Sequence, residues 1–222
     1  MRLALIGGTG DIGRGLALRF ALDTDHEILI GSRDPENARA AATEYEAELA
    51  ALGLERPIKG FVNEMAADRA DVVILAVPPY YVADTVDAIA DKLDEETVLV
   101  SPAVGMKRDE EGLYYHPPPI GSVTALAAEH APAGVPVIGA YHNLPADRLA
   151  DLDVEIDLDT LVVGDDDRAK ALVRALTGEI EGLRALDAGP LSNAADVESV
   201  APLVINVGRY NDGMHDVGVK FS

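Results

Sequence analysis

Cysteine is absent from the 222 residues, which excludes disulfides, thiolate metal sites, iron–sulfur ligation and cysteine nucleophiles together. Lysine is scarce: Lys59, Lys92, Lys107, Lys170 and Lys220 are all the chain has. With 39 acids against 18 Lys and Arg the formal charge is −21, so nucleic acid and anionic membrane are poor partners. No eighteen uncharged apolar residues run together, and the N-terminus opens on the apolar run Leu3–Ile6 without a charged-then-apolar leader. A soluble, cytoplasmic protein is expected. His26, His116, His130, His142 and His215 show no ligand spacing such as H-x-x-x-H, so no metal is expected.

What the chain does have is a composition 48% hydrophobic, enough for a proper core and incompatible with general disorder. The acidic runs Asp94–Glu96 and Asp165–Asp167 flank apolar segments and read as solvated surface. Such a surface suits a cytoplasm of very high salt, where a Debye length of about 3 Å at 1 M screens self-repulsion, and a halophilic source is expected.

Apolar strand-like runs alternate with helical stretches. Strands are predicted near Leu3–Ile6, Glu27–Ile30, Asp71–Val77, Thr97–Val100 and Val135–Ala140, with a weaker one at Ile58–Val62. Helices are predicted near Ile12–Leu22, Pro35–Leu52 and Tyr80–Leu93. This is the pattern of βαβ units and a doubly wound parallel sheet, a Rossmann-type α/β fold. The stretch Met106–Gly121, with Pro117, Pro118 and Pro119, reads as a loop. Beyond it come a helix near Ser122–Glu129 and a strand–helix–strand series at Thr160–Val163, Asp167–Thr177 and Leu183–Leu186. The last helix, Asn193–Asn211, carries Val197, Val200, Ala201, Val204, Ile205 and Gly208 along one side, a core face or a homodimer face. Division into a dinucleotide-binding domain, 1–140, and a smaller C-terminal α/β domain, 141–222, is expected.

Gly7-Gly8-Thr9-Gly10-Asp11-Ile12-Gly13 stands between the first strand and the first helix, and Gly8, Gly10 and Gly13 fit G-x-G-x-x-G. In that motif one glycine permits the tight turn, the next lets backbone approach a pyrophosphate, and the last lets the helix pack close to the sheet. The helix start offers free N–H groups and a positive dipole end. Gly7, Gly10 and Gly13 also fit the G-x-x-G-x-x-G of extended short-chain dehydrogenases. Those enzymes need Tyr-x-x-x-Lys, and no tyrosine here has a lysine four residues later.

At the end of the second strand, where the ribose 2′ position is read, stand Ser32 and Arg33. A hydroxyl and a guanidinium suit a phosphate and favour NADP. Asp34 is either the acid an NAD site wants or a helix cap before Pro35. Val77-Pro78-Pro79 ends a strand at the carboxyl edge of the sheet, the edge at which ligands bind, although prolines also simply stop strands. His142, in Tyr141-His142-Asn143-Leu144-Pro145, follows the strand Val135–Ala140 to the same edge. It either lines the site or is a packed histidine, and no carboxylate close in sequence fixes its tautomer.

With these residues and two further segments, the chain resembles the NADPH-dependent coenzyme F420 reductases nearly end to end. The opening Leu3–Leu18 resembles that family's first βα unit, and Leu186–Asn193 (LDAGPLSN) its C-terminal signature; the tail Val217–Phe221 is also similar. The resemblance implies NADP and coenzyme F420 as small-molecule partners. It also implies a cleft between the domains and reversible hydride transfer from nicotinamide C4 to deazaflavin C5, with no covalent nucleophile. Together with the acidic surface it points to a halophilic archaeal source.

Carried over by position, the resemblance assigns Thr9, Gly10, Asp11 and Ile12, on the turn whose motif also supplies Gly8 and Gly13, to the pyrophosphate and Ser32 and Arg33 to the 2′-phosphate. Pro78, Val104, Met106 and Ala146 fall to the nicotinamide side, His142 and Leu144 to the deazaflavin, and Ser192 to the border of the cleft. Asn37 stands where relatives place a further lysine, and Pro79-Tyr80-Tyr81 where they place a tryptophan and a histidine. Cations for the acidic F420 tail are sought among Arg148, Arg184, Arg209 and Lys220. Competing readings are an NADP-dependent reductase of another small acceptor and a non-catalytic NADP sensor.

Overall fold

The computed structural model describes all residues, 1–222. Its first half runs β1 (Arg2–Ile6), α1 (Asp11–Asp23), β2 (Glu27–Ser32), α2 (Pro35–Ala51), β3 (Ile58–Val62), α3 (Asn63–Ala67), β4 (Val72–Leu75), α4 (Val82–Ile89) and β5 (Val98–Ser101). There follow β6 (Met106–Arg108), β7 (Leu113–Tyr115), α5 (Val123–His130), β8 (Val137–Gly139), α6 (Ala146–Ala150), β9 (Leu158–Val162), α7 (Asp167–Thr177), β10 (Leu183–Asp187) and α8 (Ala194–Tyr210).

Six strands form one parallel sheet in the order β3-β2-β1-β4-β5-β8, the doubly wound arrangement expected from the alternation of elements. The two faces of β1 show why its apolar run is continuous. Leu3 and Leu5 pack toward α1 and α2, whereas Ala4 and Ile6 pack toward α3 and α4, so both faces are buried. No helix is long and apolar enough to cross a membrane.

The sequence reading departs from the structure where tertiary partners decide. The expected loop Met106–Gly121 contains the antiparallel hairpin β6–β7. Its turn is held by Asp109, which accepts from the Glu111 and Gly112 N–H groups, and β7 is held by Asn206 of α8. The Asn206 amide accepts from Leu113 N–H and donates to Leu113 C=O, so this strand pairs with a side chain ninety-odd positions away. The expected helix Tyr80–Leu93 is a 3₁₀ turn (Pro79–Tyr81), α4 and a second 3₁₀ turn (Ala90–Lys92). Helices α3 and α6, at five residues each, are too short to register as a period.

Beyond β8 the chain builds a small βαβ unit in which β9 and β10 are parallel. It is fastened to the main sheet by one antiparallel bridge, Gly139 and Val163 exchanging N–H···O bonds of 2.8 and 2.9 Å. The apolar core does not stop at residue 140: Leu3, Ile74 and Ile138 belong to the same cluster as Leu158, Val173 and Leu183. Arg19 of α1 adds a polar tie, donating to the carbonyls of Leu149 in α6 (2.9 Å) and of Val154 just after it (2.9 Å).

The C-terminal tail lies along β9. Asp159 donates its N–H to Val219 C=O and, fully buried, accepts from Phe221 N–H (2.6 Å) and from Arg184 at 2.8 and 2.7 Å. The Arg184 hydrogen bonds, against the opposing effect of burial, hold the Asp159 carboxyl down at about 2.

Candidate functional site

The turn from β1 to α1 is made of glycines for two separable reasons. Gly7 has φ +76°, the left-handed region, and it rather than Gly8 supplies the sharp turn. A Cβ on Gly8 would stand 2.8 Å from Leu5 O, and one on Gly13 2.7 Å from Gly8 Cα, so both are required by packing. Gly10 is different: it is extended (φ −91°), and a Cβ there would meet nothing nearer than 3.5 Å. Nothing within the protein requires glycine at that position. The first turn of α1 has no side-chain cap, and the N–H groups of Thr9, Asp11, Ile12 and Gly13 have no partner in the chain. A row of free donors at a helix start, beside a glycine whose missing side chain leaves room, fits a pyrophosphate. Tyr45 of α2 donates to Gly8 C=O (2.9 Å) and fixes the loop from behind; burial pushes its hydroxyl up to about 12.

At the end of β2, Asp34 is the helix cap: its carboxylate accepts from Glu36 N–H at 2.9 Å. Arg33 is exposed, has no carboxylate within ion-pair distance, and lies over the Tyr81 ring at 5.2 Å. In a chain so rich in acids, an unpaired guanidinium beside Ser32 is an anion receptor that fits a 2′-phosphate.

One cleft of about 1020 Å³ opens at the carboxyl edge of the sheet, at the upper end of the roughly 300–1000 Å³ usual for small-molecule sites. It brings together Gly10, Asp11, Ile12, Pro78, Val104, Met106, His142, Leu144 and Ala146. Gly8 and Gly13 lie buried behind the loop, Thr9 is exposed beside it, and Ser32 and Arg33 lie outside this lining. Ser192, exposed on the 3₁₀ turn before α8, is likewise not part of the lining.

The far wall is made by the second half of α8 and the segment that follows it, 211–217. The apolar stripe of α8 is therefore divided. Val197 and Ala201 are core, whereas Val204, Ile205 and Gly208 face the cleft, and Pro202 lies between the halves. Of the four cations considered for an acidic tail, Arg184 is engaged by Asp159, Lys220 pairs with Asp157, and Arg148 donates to Glu155 C=O. Arg209 alone of the four lines the cleft.

His142 is aimed by a strained residue. Tyr141 has φ +68°, which costs a bulky side chain of order 1–3 kcal/mol, and it is held there by long-range bonds. Its N–H donates to Thr160 Oγ1 (3.0 Å) and its hydroxyl pairs with Thr177 Oγ1 (3.0 Å). Asn143, on the other side, donates to Asp159 C=O at 2.7 Å. His142 itself is buried; desolvation pushes its imidazole down to about 3, so it is neutral at physiological pH. Its Nε2 is 3.3 Å from Thr124 Oγ1, and its Nδ1 has no partner.

Behind Thr124 stands Glu198 of α8, which sequence reasoning missed. It is fully buried and accepts from Thr124 N–H (2.9 Å), Thr124 Oγ1 (2.9 Å), Val123 N–H (3.0 Å) and the Tyr115 hydroxyl (3.0 Å). Burial raises its pKa and the four donors oppose that rise. The available signal was an acid inside an apolar stripe, since residues 194, 197, 198 and 201 share the buried face.

Comparison with known proteins agrees with this geometry. Residues 2–105 match the family model described as NADP oxidoreductase, coenzyme F420-dependent. The F420-dependent NADP reductase of Methanocaldococcus jannaschii is 37% identical over 212 residues, covering 93% of this chain and 92% of that one. The protein of the same name from Methanothermobacter thermautotrophicus is 36% identical over 225 residues, covering 100% of this chain and 95% of that one. A candidate F420-dependent NADP reductase from Arthrobacter sp. FB24, 23% identical, superposes with a TM-score of 0.82 over 100% of this chain and 99% of that one. Pyrroline-5-carboxylate reductase of Coxiella burnetii shares the fold more distantly, at TM-score 0.56 and 17% identity over 83% of this chain and 58% of its own. At more than a third identity over nearly its whole length, the chain belongs to the F420-dependent NADP reductase family.

Proposed function

We propose that the protein transfers a hydride reversibly between NADP(H) and the deazaflavin coenzyme F420. Residues 1–140 form the dinucleotide-binding domain and residues 141–222 the small domain that closes the deazaflavin cleft. The observation that carries this reading is the single cleft shared by the start of α1, the carboxyl ends of β4 and β5, and the second lobe, with room for two ring systems. The coenzymes supply the chemistry, nicotinamide C4 and deazaflavin C5 exchanging the hydride while one proton is exchanged with solvent.

The chain contributes binding and orientation. Thr9, Gly10, Asp11 and Ile12, on a turn shaped by Gly8 and Gly13, hold the pyrophosphate, and Ser32 and Arg33 hold the 2′-phosphate. Pro78, Val104, Met106 and Ala146 flank the nicotinamide. His142 and Leu144 face the deazaflavin, and Ser192 stands near the border of its cleft. Holding two rings in contact supplies most of the rate, so no nucleophile is required. The enzyme works in the cytoplasm, and as a homodimer through α8; since the expected stripe 197–208 is taken up by core and cleft, the exposed Leu203, Val207 and Tyr210 are the residues left to meet a partner.

The test is the visible absorbance of F420 mixed with NADPH and the protein in about 2 M KCl, a salt chosen to screen the acidic surface. Bleaching that requires both, is slower with NADH, and loses its NADPH preference in Arg33→Ser is expected. NADPH binding without bleaching would favour a reductase of another acceptor or a sensor. Light scattering that finds only monomer would remove the dimer.

A further inference from the structure

Two backbone N–H groups, which can only donate, land one on each oxygen of the buried Glu198 carboxylate, and two hydroxyls complete its shell. The Tyr115 hydroxyl divides its hydrogen between Glu198 Oε2 and Gly121 C=O, while Thr124 has Glu198 Oε1 as its nearest acceptor. A carboxylate only accepts, so the single hydrogen of the Thr124 hydroxyl points at Glu198. A Thr124 lone pair is then what faces His142 Nε2 at 3.3 Å, and that nitrogen must carry the hydrogen.

A Cβ on Gly139 would fall 2.8 Å from Val163 Cγ2, 2.9 Å from Thr124 Oγ1 and 3.0 Å from His142 Cε1, so the glycine leaves the space in which these three side chains meet. With Nε2 committed, the unpartnered nitrogen is Nδ1, a buried acceptor on a residue of the cleft wall. An unsatisfied buried acceptor is costly, and since Nδ1 has almost no accessible surface in the free protein, a ligand donor recovers that cost once the wall side chains shift to admit it.

We propose that Glu198 and Thr124 are positioning residues that fix His142 as the Nε2–H tautomer, leaving Nδ1 to accept a hydrogen bond from a ring N–H of the deazaflavin. This rests on the reading that F420 occupies the cleft. The pyrimidine edge of a deazaflavin offers a single N–H between two carbonyls. A histidine presenting Nδ1–H to that N–H would set donor against donor, so the tautomer, and not merely the presence of His142, decides whether the ring is accepted.

The experiment is nitrogen NMR of histidine-labelled protein without coenzymes, with His142 assigned by the resonances lost in His142→Gln, alongside steady-state kinetics. Wild-type protein is expected to carry its proton on Nε2. Thr124→Val, which keeps the shape and removes the hydroxyl, mixes the tautomers and raises KM for F420 about tenfold, the worth of one ligand hydrogen bond, with KM for NADPH unchanged. Thr124→Ser restores both wild-type values. A wild-type ring protonated on Nδ1, or a Thr124→Val protein with unchanged tautomer or unchanged KM for F420, overturns the proposal. Because the NMR needs no turnover, failure to reduce F420 would sink the functional reading and still leave the tautomer decided.

Discussion

The two walls of the cleft are built on opposite principles. The wall around Gly7–Gly13 is main chain: free N–H groups on a contiguous turn, with glycines required either by packing or by the space they leave. The wall around His142 is side chain: Tyr115, Thr124, His142 and Glu198 come from four separated segments and meet through hydrogen bonds. A backbone site is damaged by adding atoms, and a side-chain network by removing them. Substitutions can therefore break one wall at a time.

The largest loss is expected for Gly13→Val, whose Cβ would collide with Gly8 Cα at 2.7 Å; overpacking against backbone costs about 3 kcal/mol or more. Thermal melting should drop sharply and NADPH binding disappear with it; a variant that melts like wild type would show that the turn yields. Glu198→Ala removes the acceptor from two buried N–H groups and two hydroxyls and costs about 3 kcal/mol, roughly 6–12 °C in Tm. Calorimetry showing less than a 2–3 °C change, on the same scale, would demote the network from support to ornament.

Next in size is a pH effect confined to the side-chain wall. The unfolded chain protonates His142 near 6.5, whereas the native ring stays neutral down to about 3. Above pH 6.5 both states are neutral and the stability is complete; as pH falls from there toward 3 the unfolded state gains a proton the native state refuses. Stability then declines by up to about 1.4 kcal/mol per pH unit, or about 2 kcal/mol by pH 5. Urea melts of His142→Gln should lack this component, and a slope identical to wild type would place the acid sensitivity elsewhere. Smallest in stability is Gly10→Ala, expected within about 0.5 kcal/mol of wild type because its Cβ meets nothing inside 3.5 Å, while NADPH affinity falls at least about tenfold. Unchanged affinity would show that the phosphate does not approach Gly10.

The same contrast explains what the sequence reveals. The parallel sheet, the glycine turn, the Ser32-Arg33 fork and the placement of His142 at a strand end are local patterns, carried by runs of neighbouring residues. The hairpin β6–β7 is not, since its second strand is completed by Asn206. Nor is the role of Arg184 and Lys220, which composition offers as free cations and which Asp157 and Asp159 take up instead. The tautomer of His142 has no local signal because the acid that governs it lies on the last helix and acts through a hydroxyl. Asp34 was ambiguous for a different reason: an acid after a strand serves equally as ribose acceptor and helix cap, and only its bond to Glu36 N–H decides.

The core that runs past residue 140, and the bridge that welds Gly139 to Val163, bear on how the molecule comes apart. A lobe whose interior is mostly continuous with the main core, its own cluster being only Val163, Ala194 and Val197, cannot melt by itself, so heat or urea should take the whole chain through one cooperative transition, with calorimetric and van't Hoff enthalpies equal.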